Sequence, residues 1–250
     1  MKEYPIAEIF TEVQGEGQFA GTMMTFVRLA GCTVGKRYPK SMYEESIEGV
    51  VTDAETGAVL RQVKNPLPIY TEMCTLYDGR TFLCDTDYRM KEKLTVDQIL
   101  ARVERGVERI CITGGEPLMH DLAPLLQAAL DKNFQVHIET SGTIKPPYFN
   151  MLVVQDSIWL TVAPKMGVLD VMVSIADEIK LLVDKEFDWE KVPQSVKNHE
   201  LVYLHPVNGE HTVNVENLQR VRVIQQGNPQ YRIGLQLHKV LEHYLGERVR

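Results

Sequence analysis

The apolar positions along the chain switch between two periods. Met24–Leu29 (MTFVRL) is a run of strand formers that stops at Ala30-Gly31. Thr95 then opens a helix: T-x-x-Q, ending at Gln98, is a capping box, and Val96, Ile99, Leu100 and Val103 fall on one face behind it. Arg109–Thr113 (RICIT) predicts a buried strand. Asp121 stands where a helix cap is needed, ahead of the one-sided stripe Leu122, Leu125, Leu126 and Ala129. Phe134–Thr140, Ile158–Val162, Glu178–Val183, Leu201–His205 and Tyr231–Leu237 read as further strands, with a helix from about Val215 to Ile224 between the last two. Strands alternating with helices over short links imply an α/β fold with a parallel sheet. The expected form is a partial, partly open TIM-like (β/α) barrel, with an open doubly wound sheet as the alternative. In either, reactive groups belong just past the C-terminal ends of the strands.

One stretch breaks the rhythm. Thr33 to Met73 lies between the first strand and the first strong helix, and within it Val50–Thr52 and Val59–Val63 flank Ala54–Gly57, the pattern of a β-hairpin. It reads as an insertion at about 33–73 in a single domain spanning 1–250. Loops tolerate such growth at small entropic cost.

The chain has 250 residues, 44% of them hydrophobic, with 27 Lys plus Arg against 34 Asp plus Glu and a net charge of −7. That is ordinary globular composition with room for a large core. No Lys/Arg run offers a footprint for nucleic acid, so no direct nucleic-acid partner is expected. A small anionic substrate held by local basic residues stays compatible. No segment approaches the roughly 18 uncharged apolar residues of a membrane helix, and the start, MKEYPIAEIF, lacks the apolar run of a signal peptide. A cytoplasmic protein without a membrane partner is expected. There, Cys32, Cys74, Cys84 and Cys111 are expected as thiols or metal ligands rather than disulfides.

Cys32 follows the end of the first strand, while Cys74 and Cys84 flank TLYDGRTFL, which holds the turn signal Asp78-Gly79. The intervening gaps are 41 and 9 residues, unlike the C-x₂₋₄-C pairs of compact zinc sites. Spacing alone leaves unrelated thiols open, beside a three-thiolate iron–sulfur cluster with one open iron. Cys111, inside a strand, reads as core. In Thr113-Gly114-Gly115-Glu116-Pro117 the glycines permit close backbone approach and Glu116 offers an acceptor for an ammonium group. In Val13-Gln14-Gly15-Glu16-Gly17 the amide and carboxylate match the edge of a purine-like ring, and Arg28 suits a carboxylate. Asp85, Thr86 and Asp87, beside Cys84, supply hard oxygens of the kind Mg²⁺ takes. Glu139, Lys165, Lys180, His205 and His238 fall at or near predicted strand ends and together suggest a pocket.

Taken in order, EIFTEVQGEG, FVRLAGC, CDTDY, TGGEP, HIETSG, VAPK, DEIKLLV and LQLHK resemble the 7-carboxy-7-deazaguanine synthase family of radical S-adenosylmethionine enzymes, over about residues 4 to 240. The resemblance implies a partly open barrel assembled as a homodimer, and a [4Fe–4S] cluster on Cys32, Cys74 and Cys84. It implies S-adenosylmethionine at Gly114, Gly115 and Glu116 and at Ala163, Pro164 and Lys165, and Mg²⁺ at Thr86. It places substrate contacts at Val13, Gln14, Gly15, Arg28 and Thr113, with Glu16, Glu139 and His238 as further substrate-positioning residues. The implied reaction turns 6-carboxy-5,6,7,8-tetrahydropterin into 7-carboxy-7-deazaguanine by hydrogen abstraction at C6, ring contraction and loss of ammonia, with electrons from a flavodoxin- or ferredoxin-type donor. It would make the protein a carbon–nitrogen lyase of queuosine-type 7-deazapurine biosynthesis. The family commonly brings its last two cysteines together as C-x₂-C; here nine residues intervene. Two competing readings share the cysteines: a radical enzyme that activates a protein through an open groove, and a zinc-stabilised, non-enzymatic binding protein.

Overall fold

The computed structural model describes residues 2–37, 43–45, 50–53, 59–62, 72–209 and 212–245. Its strands are β1 (Glu3–Val13), β2 (Met23–Leu29), β3 (Lys36–Arg37), β4 (Tyr43–Glu45), β5 (Val50–Asp53), β6 (Val59–Gln62), β7 (Glu72–Thr75), β8 (Thr81–Leu83), β9 (Glu92–Thr95), β10 (Arg109–Gly114), β11 (Gln135–Thr140), β12 (Ile158–Val162), β13 (Glu178–Val183), β14 (Val202–Pro206) and β15 (Arg232–Ile233). The helices are α1 (Val96–Leu100), α2 (Ala123–Asp131), α3 (Phe149–Val154), α4 (Asp170–Ser174), α5 (Gln194–Lys197), α6 (Val215–Gly227) and α7 (Leu237–Leu245).

The main sheet runs β15-β14-β13-β12-β11-β10-β2-β1-β9. From β2 to β15 every neighbour is parallel, whereas β1 is antiparallel to both β2 and β9. The order is open: β9 and β15 are its edges, and no pairing joins them among the described residues. This is the mixed α/β fold with a mostly parallel central sheet that the alternating periods predict.

Strand alternation sorts the parallel strands into two faces. Ile110 and Ile112, Val136 and Ile138, Leu160 and Val162, Ile179 and Leu181, Val202 and Leu204 join one apolar core, which α2 and α6 cover with Leu125, Leu126, Ala129, Val221 and Ile224. The intervening residues are largely polar: Thr113, His137, Glu139, Thr161, Glu178, Lys180, Tyr203 and His205. Near the strand starts this second face is plugged by the loop after β1. Phe19 packs edge-on against His137 and Trp159 at 4.6 and 5.0 Å, with the Arg109 guanidinium 4.5 Å above its ring. A cavity therefore opens at the opposite, C-terminal end of the strands.

The capping box forms as expected, with Thr95 and Gln98 each satisfying the other's backbone N–H. Asp121 is one residue too early to be the cap of α2. Leu122 occupies that position, and Asp121 instead accepts from Ala123 N at 3.2 Å while Pro124 needs no donor partner. The strand expected over Tyr231–Leu237 shrinks to Arg232–Ile233. Gly234 presses on the His205 ring, and Leu237 turns away to give its N–H to the Gly15 carbonyl at 2.9 Å, which starts α7. In the inserted stretch, β5 pairs antiparallel with both β4 and β6. The expected turn, Ala54–Gly57, and Val63 lie outside the described residues. Among the described residues no helix is long and apolar enough to cross a membrane.

Candidate active site

The three candidate cluster cysteines are assembled by a second, small sheet of order β3-β7-β8. Four residues past Cys32, Lys36 pairs with Met73, so the two ends of the inserted stretch are stitched side by side. β7 then turns into β8, placing Cys74 opposite Phe82. Cys84 directly follows β8, two residues beyond Phe82, so continued strand alternation carries it to the Cys74 side of the hairpin. The hairpin thus does by strand pairing what a C-x₂-C loop does by proximity. All three sulfurs line one cavity of about 810 Å³. Burial raises the pKa of Cys32, and burial with the adjacent Asp85 carboxylate pushes that of Cys84 up to about 12. The thiols also act electrostatically on one another, and Gly35 N–H donates to Cys32 Sγ at 3.2 Å. Such N–H donors and mutual proximity suit thiolates that share a positively charged metal group.

Gly114 and Gly115 are dictated by the β2 end that they meet. A Cβ on Gly114, whose φ is 151°, would lie 2.3 Å from the Leu29 carbonyl, and one on Gly115 would lie 2.2 Å from the Gly31 carbonyl and 2.5 Å from Cys32 Cβ. The turn is thereby drawn against Cys32 with its backbone open to the cavity. Glu116 departs from the expectation of a free acceptor. It is fully buried and does not line the cavity. Its carboxylate takes Leu118 N–H at 3.0 Å, Thr140 Oγ1 at 2.6 Å, Ser141 N–H at 2.9 Å and the Ser141 hydroxyl. Four donors saturate a buried carboxylate, so the side chain ties the β10 turn to the end of β11.

The opposite wall is built from β1's exit loop, β10, β11 and β13. Gln14 Nε2 donates to Glu139 Oε1 at 3.1 Å, and Thr113 Oγ1 lies 3.4 Å from Glu139 Oε2. Lys180 donates to Glu16, whose other oxygen accepts Gln236 Nε2 at 2.7 Å. Burial opposes charge on Glu16, yet the Lys180 ammonium, by its charge and its hydrogen bond, holds it well below the usual carboxylate range. His238 packs on Gly15 so closely that a Cβ there would sit 2.3 Å from its Nδ1, and burial lowers its pKa. Arg28 is 3.8 Å from Glu8 and lies over the Phe10 ring. Lys165 is 7% exposed, sits 5.1 Å from the Phe82 ring centroid, and has its pKa lowered by burial.

Val13, Gln14, Gly15, Glu16, Arg28, Thr86, Thr113, Glu139, Ala163, Lys165 and His238 all line the cavity with the three cysteines and both glycines; Pro164 and Glu116 do not. Cys111 is core, as its strand position predicts. His205 is buried behind the wall, with neither ring nitrogen hydrogen-bonded. Gln236 and Lys239 were not singled out by the sequence reading. Lys239, 2% exposed, donates to Asp85 Oδ2 and to the Gly209 carbonyl, both at 2.8 Å. It holds Asp85 below the usual carboxylate range against the effect of burial. The signal lay in LQLHK, where two polar residues flank His238 at helix-start spacing.

No family model matches the chain. It is 26% identical over 247 residues to the 7-carboxy-7-deazaguanine synthase of Buchnera aphidicola subsp. Schizaphis graminum, covering 96% of this chain and 98% of that one. It is 27% identical over 250 residues to the Synechocystis synthase of the same name, covering 98% and 94%. A crystal structure of QueE from Escherichia coli superposes with a TM-score of 0.61 at 25% identity, covering 94% of this chain and 95% of that one. In sequence and in backbone, this chain resembles the 7-carboxy-7-deazaguanine synthases over nearly its whole length.

Proposed function

We propose that the protein is a radical S-adenosylmethionine lyase that converts 6-carboxy-5,6,7,8-tetrahydropterin to 7-carboxy-7-deazaguanine, with loss of ammonia, in 7-deazapurine biosynthesis. The observation that carries this reading is the meeting of three cysteines, the Gly114-Gly115 turn and the Gln14–Glu16–Glu139 wall at one cavity, in a chain similar end to end to synthases of that name. Cys32, Cys74 and Cys84 would hold a [4Fe–4S] cluster. Together with S-adenosylmethionine, that group supplies the hydrogen-abstracting chemistry when bound. The Gly114-Gly115 backbone would receive the cofactor's amino end, with Ala163, Pro164 and Lys165 along its nucleoside side.

The chain's own residues then select and hold the pterin. Glu16 and Glu139 accept from its amino and ring N–H groups, Gln14 and Thr113 fix the Glu139 carboxylate and Gln236 that of Glu16, and Arg28 faces the substrate's carboxylate. His238, pressed on Gly15, closes the pocket and keeps water off. Thr86 would carry Mg²⁺, which takes few protein ligands and keeps several waters. Among the described residues no three His, Cys, Asp or Glu side chains converge as a single ion requires. That disfavours the zinc reading, which needs a four-ligand point, and is compatible with a cluster whose thiolates each bind a separate iron. A cytoplasmic homodimer fed by a flavodoxin or ferredoxin completes the proposal. Anaerobic incubation of iron- and sulfide-reconstituted protein with S-adenosylmethionine, Mg²⁺, reductant and the pterin tests it. 7-Carboxy-7-deazaguanine detected by mass spectrometry is the expected result; its absence from cluster-loaded protein overturns the reading.

A further inference from the structure

Lys180 is a half-buried cation on the cavity wall to which the binding roles above give no task. It rises from β13 between two carboxylates that come from distant parts of the chain, Glu16 from the loop after β1 and Glu139 from β11. Its ammonium donates to Glu16 Oε2 and lies 3.6 Å from Glu139 Oε2. The other donors on these carboxylates are neutral, Gln236 on Glu16 and Gln14 and Thr113 on Glu139, and acceptor positions stay free on both. Two carboxylates that share one ammonium on a largely desolvated cavity wall repel each other, and without the cation one takes up a proton.

We infer that Lys180 is a positioning residue, which keeps Glu16 and Glu139 both ionised and at fixed separation, so that the wall presents acceptors and one net negative charge. An ionised carboxylate only accepts hydrogen bonds. The pair therefore selects a ring edge carrying an amino group beside a ring N–H and rejects a carbonyl edge. The identity of the ring rests on the proposed function; the charge state of the wall does not. The other ionisable groups facing the pair do not replace Lys180. His205 and His238 are driven toward neutrality by burial, and Cys111 toward the thiol. Glu178, also raised by burial, and Asp85 add no positive charge, and the Arg28 charge is shared with Glu8 rather than with the pair. Both carboxylates in turn raise the Lys180 pKa above the ordinary lysine range, against its burial.

The test compares the whole ligand-free protein with Lys180→Met, Lys180→Gln and Lys180→Arg. Infrared spectroscopy follows the carbonyl stretch of protonated carboxyls from about pH 5 to 9. The expectation is one new protonated carboxyl at neutral pH in Lys180→Met and Lys180→Gln, removed by adding Glu16→Gln, and absent in wild type and Lys180→Arg. Folded neutral variants without that band would overturn the inference. Should Met not be tolerated, the polar, nearly isosteric Gln carries the same expectation. Fluorescence titration with pterin-6-carboxylate then reads the consequence. Binding weakens on the order of a hundredfold in the neutral variants, and Lys180→Arg recovers most of it. The infrared pattern without pterin binding to wild type would uphold the charge role and reject the pterin. Equal binding by all variants would reject the positioning role.

Discussion

Cys74 and Cys84 meet at one cavity from the two arms of the β7–β8 hairpin, Cys74 opposite Phe82 and Cys84 just past the end of β8. Side chains alternate, so a one-residue change of phase moves a cysteine to the other face. Inserting one residue between Cys74 and the Asp78-Gly79 turn should abolish iron and sulfide binding, while inserting two should largely preserve it. Cys111→Ala, which alters the buried core and not the hairpin, should load fully at a stability cost of about 1 kcal/mol. Equal loading of the two insertion variants would show that the hairpin does not deliver Cys74.

Gly15 and His238 meet where no side chain fits, with Nδ1 2.3 Å from the position of an added Cβ. Gly15→Ala must push His238, and with it the start of α7, out of the pocket. Pterin binding should fall by roughly tenfold or more, since misplacement of about an ångström has large effects on positioned groups, with iron and sulfide content unchanged. A fluorescence titration checks the first and elemental analysis the second.

Glu116 acts on stability. Removing its carboxylate leaves the Thr140 and Ser141 hydroxyls and two N–H groups without an acceptor in a buried site. Glu116→Ala should cost on the order of 3 kcal/mol. Glu116→Gln should not rescue it, because an amide NH₂ faces donors there. Urea unfolding measures both, and a loss below about 1 kcal/mol would contradict the clamp.

Two buried histidines predict acid sensitivity. Burial, then the Arg109 charge, lowers His137 to about 4, and burial lowers His205 to about 4 despite nearby Glu16. A folded pKa below the unfolded value of about 6.5 means that the unfolded chain binds more protons as pH falls. The stabilisation is complete above that unfolded value and is lost toward pH 4, by up to about 3 kcal/mol per group. Urea midpoints across this range should fall steeply in wild type and less in His205→Leu.

The parallel strands were legible because burial on the helix-covered face writes an apolar residue at every second position, as in Ile110 and Ile112 or Ile179 and Leu181. The QGEG, CDT and TGGEP stretches led to cavity residues because glycines and polar side chains cluster there. What was not legible depended on contacts between distant segments. The pairing of Lys36 with Met73 brings Cys32 to the hairpin across the insertion, and no spacing rule expresses it. Glu116 reads as a free acceptor until Ser141, 25 residues on, is seen to fill it. Tyr231–Leu237 has strand composition, but the close fit of Gly234 on His205 and the Leu237–Gly15 hydrogen bond end the strand early.

In the proposed reaction this cavity aims C6 of a carboxytetrahydropterin at the radical chemistry that a cluster on Cys32, Cys74 and Cys84 would supply. The most direct test supplies the reconstituted protein, under anaerobic reducing conditions with Mg²⁺ and S-adenosylmethionine, with substrate deuterated at C6. Mass spectrometry should find deuterium in 5′-deoxyadenosine and 7-carboxy-7-deazaguanine among the products. Unlabelled 5′-deoxyadenosine, with no deazapurine formed, would contradict the claim.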